Sequence, residues 1–233
     1  MRILSRFLIP LVILSFHSLP LKAEFDLIGN ATLSVPTGDL RKYSYGSVGV
    51  GGTVRVATNI NRYAKVFLQG AYADFGLERG FTRRDNIFSD AALESVTDAY
   101  FLSICPGISF GKNFEGMITY FNLAGGINYY SSLSRINSRQ YSEISEYMEN
   151  NGVTWCAGAG AGIRLKTWEA DADGESHLID AVLFDFRFDY FLTGEVEYLD
   201  MRTVRYKSNE LQYDTTKNSG GLFLINIGFV LKL

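Results

Sequence analysis

Apolar residues occupy every second position in eight stretches of this chain of 233 residues, and this alternation restricts its fold more than any other feature. Successive side chains of a β-strand point to opposite faces, so the pattern predicts strands with one apolar face and one unlike face. In the seventh stretch the residues are Val182, Phe184, Phe186, Phe188 and Tyr190 on one face and Asp185, Arg187 and Asp189 on the other. The other stretches begin at Phe25, Val48, Ala64, Tyr100, Phe121, Val153 and Ile225. The chain is therefore predicted to be all-β.

The connections between these stretches alternate between short and long. The short ones are residues 59–62, 111–114 and 167–177, and the long ones are residues 36–45, 76–98, 131–151 and 193–220. Transmembrane barrels place short turns in the periplasm and long loops outside the cell. We therefore predict an eight-stranded antiparallel up-and-down transmembrane β-barrel with short periplasmic turns and long extracellular loops. Strands of about 9–11 residues would span the membrane and leave more than half of the exported chain to loops.

The face opposite the apolar residues distinguishes a membrane barrel from a water-soluble one. A lipocalin-like soluble barrel also alternates, but it turns its apolar face inward. Here the second face is rich in Gly, Ala, Ser and Cys and carries few charges, whereas a face in water would carry many Lys, Glu and Thr residues. Small residues suit the narrow interior of an eight-stranded barrel, so we predict that the apolar face contacts lipid.

Aromatic residues at one end of the apolar face give a second indication of a membrane. They are Tyr72, Tyr100, Tyr129, Trp155 and Tyr190, each on a different stretch. Amphipathic rings favour the boundary between lipid and water. These residues are therefore predicted to form an interface girdle at the end of the barrel that carries the long loops.

Residues 1–23 have the order of a secretory signal peptide, with Arg2 and Arg6 before an apolar stretch and Ala23 at the predicted cleavage site. A membrane anchor is the alternative, but the apolar stretch is short and prolines interrupt it. We predict a signal peptide at 1–23 and a barrel domain at 24–233. Removing the signal changes the net charge from −3 to −6, because it holds three of the 22 basic residues and no acidic one. An acidic chain makes nucleic acid an unexpected partner.

The exported chain resembles the OmpA/OmpX-type eight-stranded outer-membrane barrels over its whole length. The segment SVPTGD at residues 34–39, followed by a glycine-rich second strand, is similar to first-hairpin sequences of that superfamily. The resemblance implies a location in the outer membrane of a diderm bacterium, with outer-membrane lipid and the barrel-assembly machinery as partners. We further expect a monomer without cofactors.

Charged residues on the predicted inner face form the main candidate site. They are Asp185, Arg187, Asp189, Arg164, Arg55, Lys65 and Lys232. Gly158, Gly160 and Gly162 on the neighbouring strand would leave room for an arginine to cross the lumen. The cluster predicts either a salt-bridged plug or a conducting filter. Eight strands barely enclose their own side chains, which favours the plug.

Catalytic chemistry is not indicated by the sequence. Outer-membrane barrels that act as enzymes rely on a histidine near the outer rim or membrane face, usually with Ser or Asp. Beyond the signal the chain has one histidine, His177, in a predicted periplasmic turn. We therefore predict no catalytic residues, and a lipid-modifying enzyme remains a remote alternative.

The turn around His177 also carries the only pattern that suggests a metal. Asp171, Asp173 and Asp180 follow Glu169 with a spacing similar to that of a calcium-binding EF-hand loop, although Glu and Asp are exchanged at its two ends. Flanking helices cannot form between two barrel strands. An acidic turn without metal is the preferred explanation.

The two cysteines are predicted to be free thiols packed inside the barrel. Cys105 and Cys156 lie on the inner faces of the fourth and sixth stretches. At about 4.8 Å per strand, their Cα atoms would be farther apart than the roughly 7 Å that a disulfide permits. Pro106, next to Cys105, lacks a backbone N–H and predicts a β-bulge.

One long connection shows the spacing of a helix. Tyr141, Ile144 and Met148 share a helical face within residues 140–150, and Gly152 follows. We predict a short loop helix whose apolar edge packs on the barrel mouth or meets a partner.

These features lead to a functional hypothesis with two alternatives. The preferred function is a non-enzymatic outer-membrane barrel with a plugged lumen, which displays surface loops for a structural, adhesive or binding role. The first alternative is a narrow channel or conduit for small, including apolar, solutes, because one fold hosts many functions. The second is the lipid-modifying enzyme.

Overall fold

The strands of the computed structural model close into a single barrel. The structure describes residues 24–43, 48–82, 93–138, 145–170, 179–199, 205–207, 210–212 and 214–233. The strands are β1 (Phe25–Gly38), β2 (Gly49–Asn61), β3 (Ala64–Thr82), β4 (Leu93–Phe114), β5 (Met117–Ser138), β6 (Ser145–Glu169), β7 (Ala181–Leu199), β8 (Arg205–Lys207), β9 (Glu210–Gln212) and β10 (Thr215–Lys232). A short helix, α1 (Leu40–Tyr43), follows β1.

Eight antiparallel strands pair in the order β1-β10-β7-β6-β5-β4-β3-β2, and the pairing of β1 with β2 closes the ring. The pairing of the first and last strands runs from Asp26 opposite Lys232 to Gly38 opposite Gly220. The two short strands β8 and β9 form a separate hairpin. The predicted all-β, eight-stranded up-and-down barrel is confirmed.

The exterior is apolar, whereas the interior combines polar and charged side chains with an apolar layer. On β7, Phe188 and Tyr190 are exposed, whereas Asp185, Arg187 and Asp189 are buried. The same order holds on the other barrel strands, whose exposed residues include Leu27, Val54, Leu68, Ile104, Leu123, Trp155 and Phe229. This is the reverse of a soluble lipocalin-like barrel, which buries its apolar face. No helix in the described part of the chain has the length and apolar character needed to cross a membrane.

The strands are longer than predicted, and this corrects the predicted loops. The eight barrel strands contain 13 to 25 residues, so large parts of the predicted loops 76–98, 131–151 and 193–220 are paired strand. These extensions carry charged residues at many positions. Where both strand faces meet water, neither has to be apolar, and the alternation that marks a strand fades. Sequence periodicity therefore reports the apolar band and misses the strand ends.

Three local predictions are also wrong. The β4–β5 turn lies at Glu115 and Gly116 and not at residues 111–114, because Gly116 has the positive φ of 84° that the turn requires. Pro106 forms no bulge: the β4–β5 register is the same before and after it, and its ring faces outward. Residues 145–150 of the predicted loop helix belong to β6, and 140–144 lie outside the described residues.

We name the two barrel ends by their connections. The turn end carries the tight β2–β3 and β4–β5 turns and the β6–β7 connection of residues 170–180, and the loop end carries α1 and the other connections between the barrel strands. Near the loop end the lumen is filled by an apolar layer that includes Phe101, Tyr130, Phe191 and Leu222. Leu40 of α1 is 1 % exposed and packs into this layer, so α1 is anchored at the loop end of the barrel.

Candidate functional site in the barrel lumen

The charged side chains of the lumen come from inward positions on strands all around the barrel. Of the predicted cluster, Arg55, Arg164, Asp185, Arg187 and Asp189 are buried. Lys65 is partly buried, and Lys232 lines a cavity of about 290 Å³ at the turn end. Because alternate residues of a strand share one face, the strand pattern alone directs these groups inward, while the barrel curvature determines which of them meet.

A carboxylate near the turn end joins three strands. Oδ2 of Asp26 on β1 accepts a hydrogen bond from Lys65 Nζ on β3 at 2.6 Å and another from Arg164 Nη1 on β6 at 3.1 Å. Asp26 is 2 % exposed. A buried carboxylate is stable only when its charge has partners, and both cations supply them from across the lumen.

Asp185 is the centre of the network. Its Oδ1 accepts hydrogen bonds from Arg164 Nε at 3.1 Å and from the Tyr120 hydroxyl at 2.5 Å. Its Oδ2 accepts one from Asn30 Nδ2 at 3.1 Å and lies 3.7 Å from Arg187 Nη1. Four groups from β1, β5, β6 and β7 therefore surround one fully buried carboxylate.

Arg187 extends the network toward the opposite wall. Its Nε donates to Asp189 Oδ2 at 2.7 Å, and its Nη2 lies 3.3 Å from both Thr53 Oγ1 and Gln69 Oε1. Asn226 Nδ2 donates to the same Asp189 oxygen at 3.1 Å. The Arg187 side chain thus crosses from β7 to β2 and β3.

Arg55 is held differently from the other buried cations. Its Nε and Nη2 donate to Gln69 Oε1 at 3.1 and 2.6 Å. Its Cζ lies 3.8 Å from the centre of the Phe67 ring, a cation–π contact. A neutral amide and an aromatic face therefore take the place of a carboxylate around this guanidinium.

The glycines of β6 make room for other residues than predicted. A Cβ on Gly158 would overlap Phe191, one on Gly160 would overlap the Asp189 carboxylate, and one on Gly162 would lie 2.6 Å from the Tyr120 ring. The expectation that these glycines accommodate an arginine is wrong. They leave space for an aromatic ring, an acid and the phenol that binds Asp185.

The two cysteines meet in the apolar layer next to this network. Cys105 Sγ and Cys156 Sγ are 3.1 Å apart, and both thiols are free and buried. The sequence does not predict this contact, because along the sheet β5 separates the two strands. In a narrow barrel, inward side chains converge, so residues on β4 and β6 touch across β5.

Outside the barrel, three of the predicted girdle residues lie next to one another. Tyr72 and Tyr100 have ring centres 6.0 Å apart, and Tyr100 and Tyr129 are 6.3 Å apart, which makes a continuous row over β3, β4 and β5. Trp155 and Tyr190 are exposed on β6 and β7. Tyr190 also lies 3.3 Å, oxygen to oxygen, from the Thr37 hydroxyl.

The predicted acidic turn lies largely outside the described residues. Asp171, Asp173 and His177 fall there, and Asp180 is exposed. Glu169 accepts a hydrogen bond from Lys166 Nζ at 2.5 Å, and this bond lowers the pKa of Glu169. Within the described ranges no three His, Cys, Asp or Glu residues group closely enough to hold a metal.

Sequence reasoning misses several members of the network, namely Asp26, Asn30, Gln69, Tyr120 and Asn226. The pattern marks them as residues of strand faces but does not assign them to the site. Their signal is present, since each occupies an inward position of an alternating stretch. Their contacts depend on which strands face each other across the lumen, which alternation does not specify.

An eight-stranded antiparallel barrel with an apolar exterior and a polar, charged interior has the architecture of an outer-membrane β-barrel. The chain is similar to Ail, the attachment invasion locus protein of Yersinia pestis, solved with the heparin analogue sucrose octasulfate. That match has 12 % identity, covers 91 % of this chain and 100 % of the other, and has a TM-score of 0.44.

Two further solved structures resemble the chain to a similar degree. Neisserial surface protein A has 8 % identity, with 91 % of this chain and 97 % of the other covered and a TM-score of 0.43. A major outer membrane protein from Thermus thermophilus has 9 % identity, 91 % and 99 % coverage, and a TM-score of 0.43. No protein-family model and no curated protein sequence matches the chain.

Proposed function

We propose that this protein is a non-enzymatic outer-membrane barrel whose lumen is plugged by its own side chains and whose loops serve a structural, adhesive or binding role. The main support for this proposal is the continuous network of lumen side chains from Asp26 through Asp185 to Arg187. In this proposal residues 1–23 are a signal peptide, the turn end faces the periplasm, and the loop end faces the exterior. The aromatic row marks the outer interface.

Burial throughout the lumen supports the plug. Asp185 and Arg187 are 0 % exposed, and Asp189 is 2 % exposed. Toward the loop end lies the apolar layer, which includes Leu40. An ion crossing the barrel would have to displace both an ion-paired layer and an apolar layer.

The test is the conductance and stability of the Arg187→Ala variant. Removing one partner of a buried ion pair costs roughly 3–5 kcal/mol, because the remaining charge keeps its desolvation cost. We expect the free energy of unfolding in detergent to fall by an amount of that order, less if water enters. In planar bilayers the wild type should conduct little, and Arg187→Ala should conduct more, because a path opens where the side chain lay.

Two matched variants separate charge from volume. Arg187→Met fills most of the same space without charge, so we expect it to destabilise the barrel while leaving it closed. Arg62→Ala removes an exposed arginine at the β2–β3 turn and should change neither property. Steady, solute-selective current through the wild type, with Arg187→Ala changing selectivity and hardly changing stability, would contradict the plug.

A conduit for small solutes is the second candidate, and one observation favours it. The turn-end cavity of about 290 Å³ reaches Arg164 and Tyr120 of the network. Further in, both amide atoms of buried Asn122 lack a hydrogen-bond partner within the described residues. Polar atoms in such a position are sites where water or a small polar solute would bind. Wild-type conductance decides between the two functions.

A further inference from the structure

We propose that Cys105 and Cys156 form a disulfide across the lumen and covalently join β4 to β6. The site consists of these two thiols and Gly126, which lies between them on β5. The proposal takes one condition from the proposed function: export must deliver the chain to an oxidising compartment.

The geometry around Gly126 brings the sulfurs together. Gly126 pairs with Cys156 on one side, and the β4–β5 register places Cys105 on its other side. A Cβ on Gly126 would lie 2.8 Å from Cys105 Cα. Because glycine has no side chain here, the two inward thiols meet over β5 with their sulfurs 3.1 Å apart.

The surroundings favour a disulfide over two thiols. Cys105 and Cys156 are 1 % and 3 % exposed and belong to the apolar layer that contains Phe101, Tyr130 and Phe191. Each thiol carries a weak S–H donor, whereas a disulfide carries none. Oxidation therefore removes two polar hydrogens from an apolar environment.

The oxidant we invoke is a protein disulfide of a periplasmic thiol oxidoreductase. The thiolate of one cysteine attacks the oxidant's disulfide, forms a mixed disulfide and releases one oxidant thiolate. The thiolate of the second cysteine then attacks the sulfur of the first, closes the Cys105–Cys156 bond and releases the second oxidant thiolate. Two electrons and two protons leave the chain, and the oxidant becomes a dithiol. Because both thiols are buried in the closed barrel, this exchange takes place after β4, β5 and β6 have paired and before the barrel closes over them.

The experiment measures alkylation of the full-length protein purified from outer membranes without reductant. The protein is unfolded in the presence of N-ethylmaleimide, and its intact mass is recorded. We expect no adduct and a mass lower by two hydrogen atoms, followed by two adducts after reduction. Two adducts without reductant, a single adduct, or a disulfide between two chains would overturn the proposal.

A matched pair on the same strands tests the geometry. In a Cys105→Ser, Cys156→Ser background, Ile104→Cys and Trp155→Cys place two thiols on either side of Ile127. These thiols share the strands and the neighbouring register row, but they face outward with a bulky side chain between them. We expect two adducts without reductant from this variant. A disulfide in it as well would show that oxidation does not depend on the lumen geometry and would reject the site.

A second arm does not depend on export. Protein folded in detergent from the reduced, denatured chain with oxidised glutathione present should acquire the same bond. The altered gel migration of the unboiled protein, recorded on the same sample, reports whether the barrel has formed. A folded barrel with two free thiols would overturn the disulfide and leave the proposed function intact. A disulfide in protein that never reaches the outer membrane would overturn the proposed function and leave the disulfide intact.

Discussion

For individual residues, the large side chains of the lumen fit because glycines occupy neighbouring inward positions. Arginines, acids and a tyrosine share a space that eight strands barely enclose, and three inward glycines of β6 leave space for Phe191, Asp189 and Tyr120. Gly160 lies opposite Asp189 on β7 and opposite Asn122 on β5. A methyl group added at Gly160 would therefore find no free space.

Gly160→Ala should destabilise the barrel, whereas Gly29→Ala should not. At Gly160 the new Cβ would overlap the Asp189 carboxylate and lie 2.6 Å from the Phe188 carbonyl oxygen, which belongs to the backbone and cannot move aside. Overpacking of this kind costs about 1–3 kcal/mol. Gly29 faces outward, and a methyl group added there would meet no atom within 4 Å, so alanine should be neutral or stabilising by about 0.5–1 kcal/mol. Urea unfolding in detergent measures both, and equal effects would refute the packing argument.

Among the strands, the main difference from the predicted barrel is length: the strands remain paired beyond the stretches in which apolar residues alternate. Beyond the apolar band, β7 and β10 remain paired up to Leu199 opposite Thr215. Thr215 Oγ1 donates to Glu197 Oε1 at 2.6 Å, and Lys217 Nζ lies 3.5 Å from Glu197 Oε2. Contacts between exposed side chains of β7 and β10 thus support the pairing of the two strands in this extension.

The pKa of Glu197 lies below its ordinary value. The hydrogen bond from Thr215 lowers it most, and the positive charge of Lys217 lowers it further. Their contribution to pairing is present above the ordinary pKa of a glutamate and is lost as the pH falls through the lowered pKa of Glu197. Thr215→Val should therefore raise the pKa of Glu197. NMR titration of the Glu197 carboxyl carbon measures it. Thr216→Val changes the same residue type on the opposite face and should leave this pKa unchanged, and equal titration in both variants would contradict the assignment.

At the scale of the whole molecule, the orientation of the barrel determines which connections meet the outside. A protease-cleavable tag inserted near Asn86, in the β3–β4 connection at the loop end, should be cut on intact cells. The same tag at Asn61 or Gly116, in the tight turns of the other end, should be protected until the outer membrane is opened. Western blots of the tagged barrels measure the cleavage. Cleavage of the turn-end tags alone would show that the barrel is inserted in the opposite direction.

The alternation of residue types along each strand sets which side of that strand faces the lumen. Side chains alternate with a fixed period of two, so the inward positions of Arg55, Arg164 and Asp185 follow from local pattern alone, as does the apolar exterior. Where the strands end and which inward groups meet depend on the folded barrel. Asp26 contacts Lys65 and Arg164, and Cys105 contacts Cys156, because closure and register bring distant strands to one level of a narrow lumen. Alternation is a property of a single strand, whereas closure and register belong to all eight together.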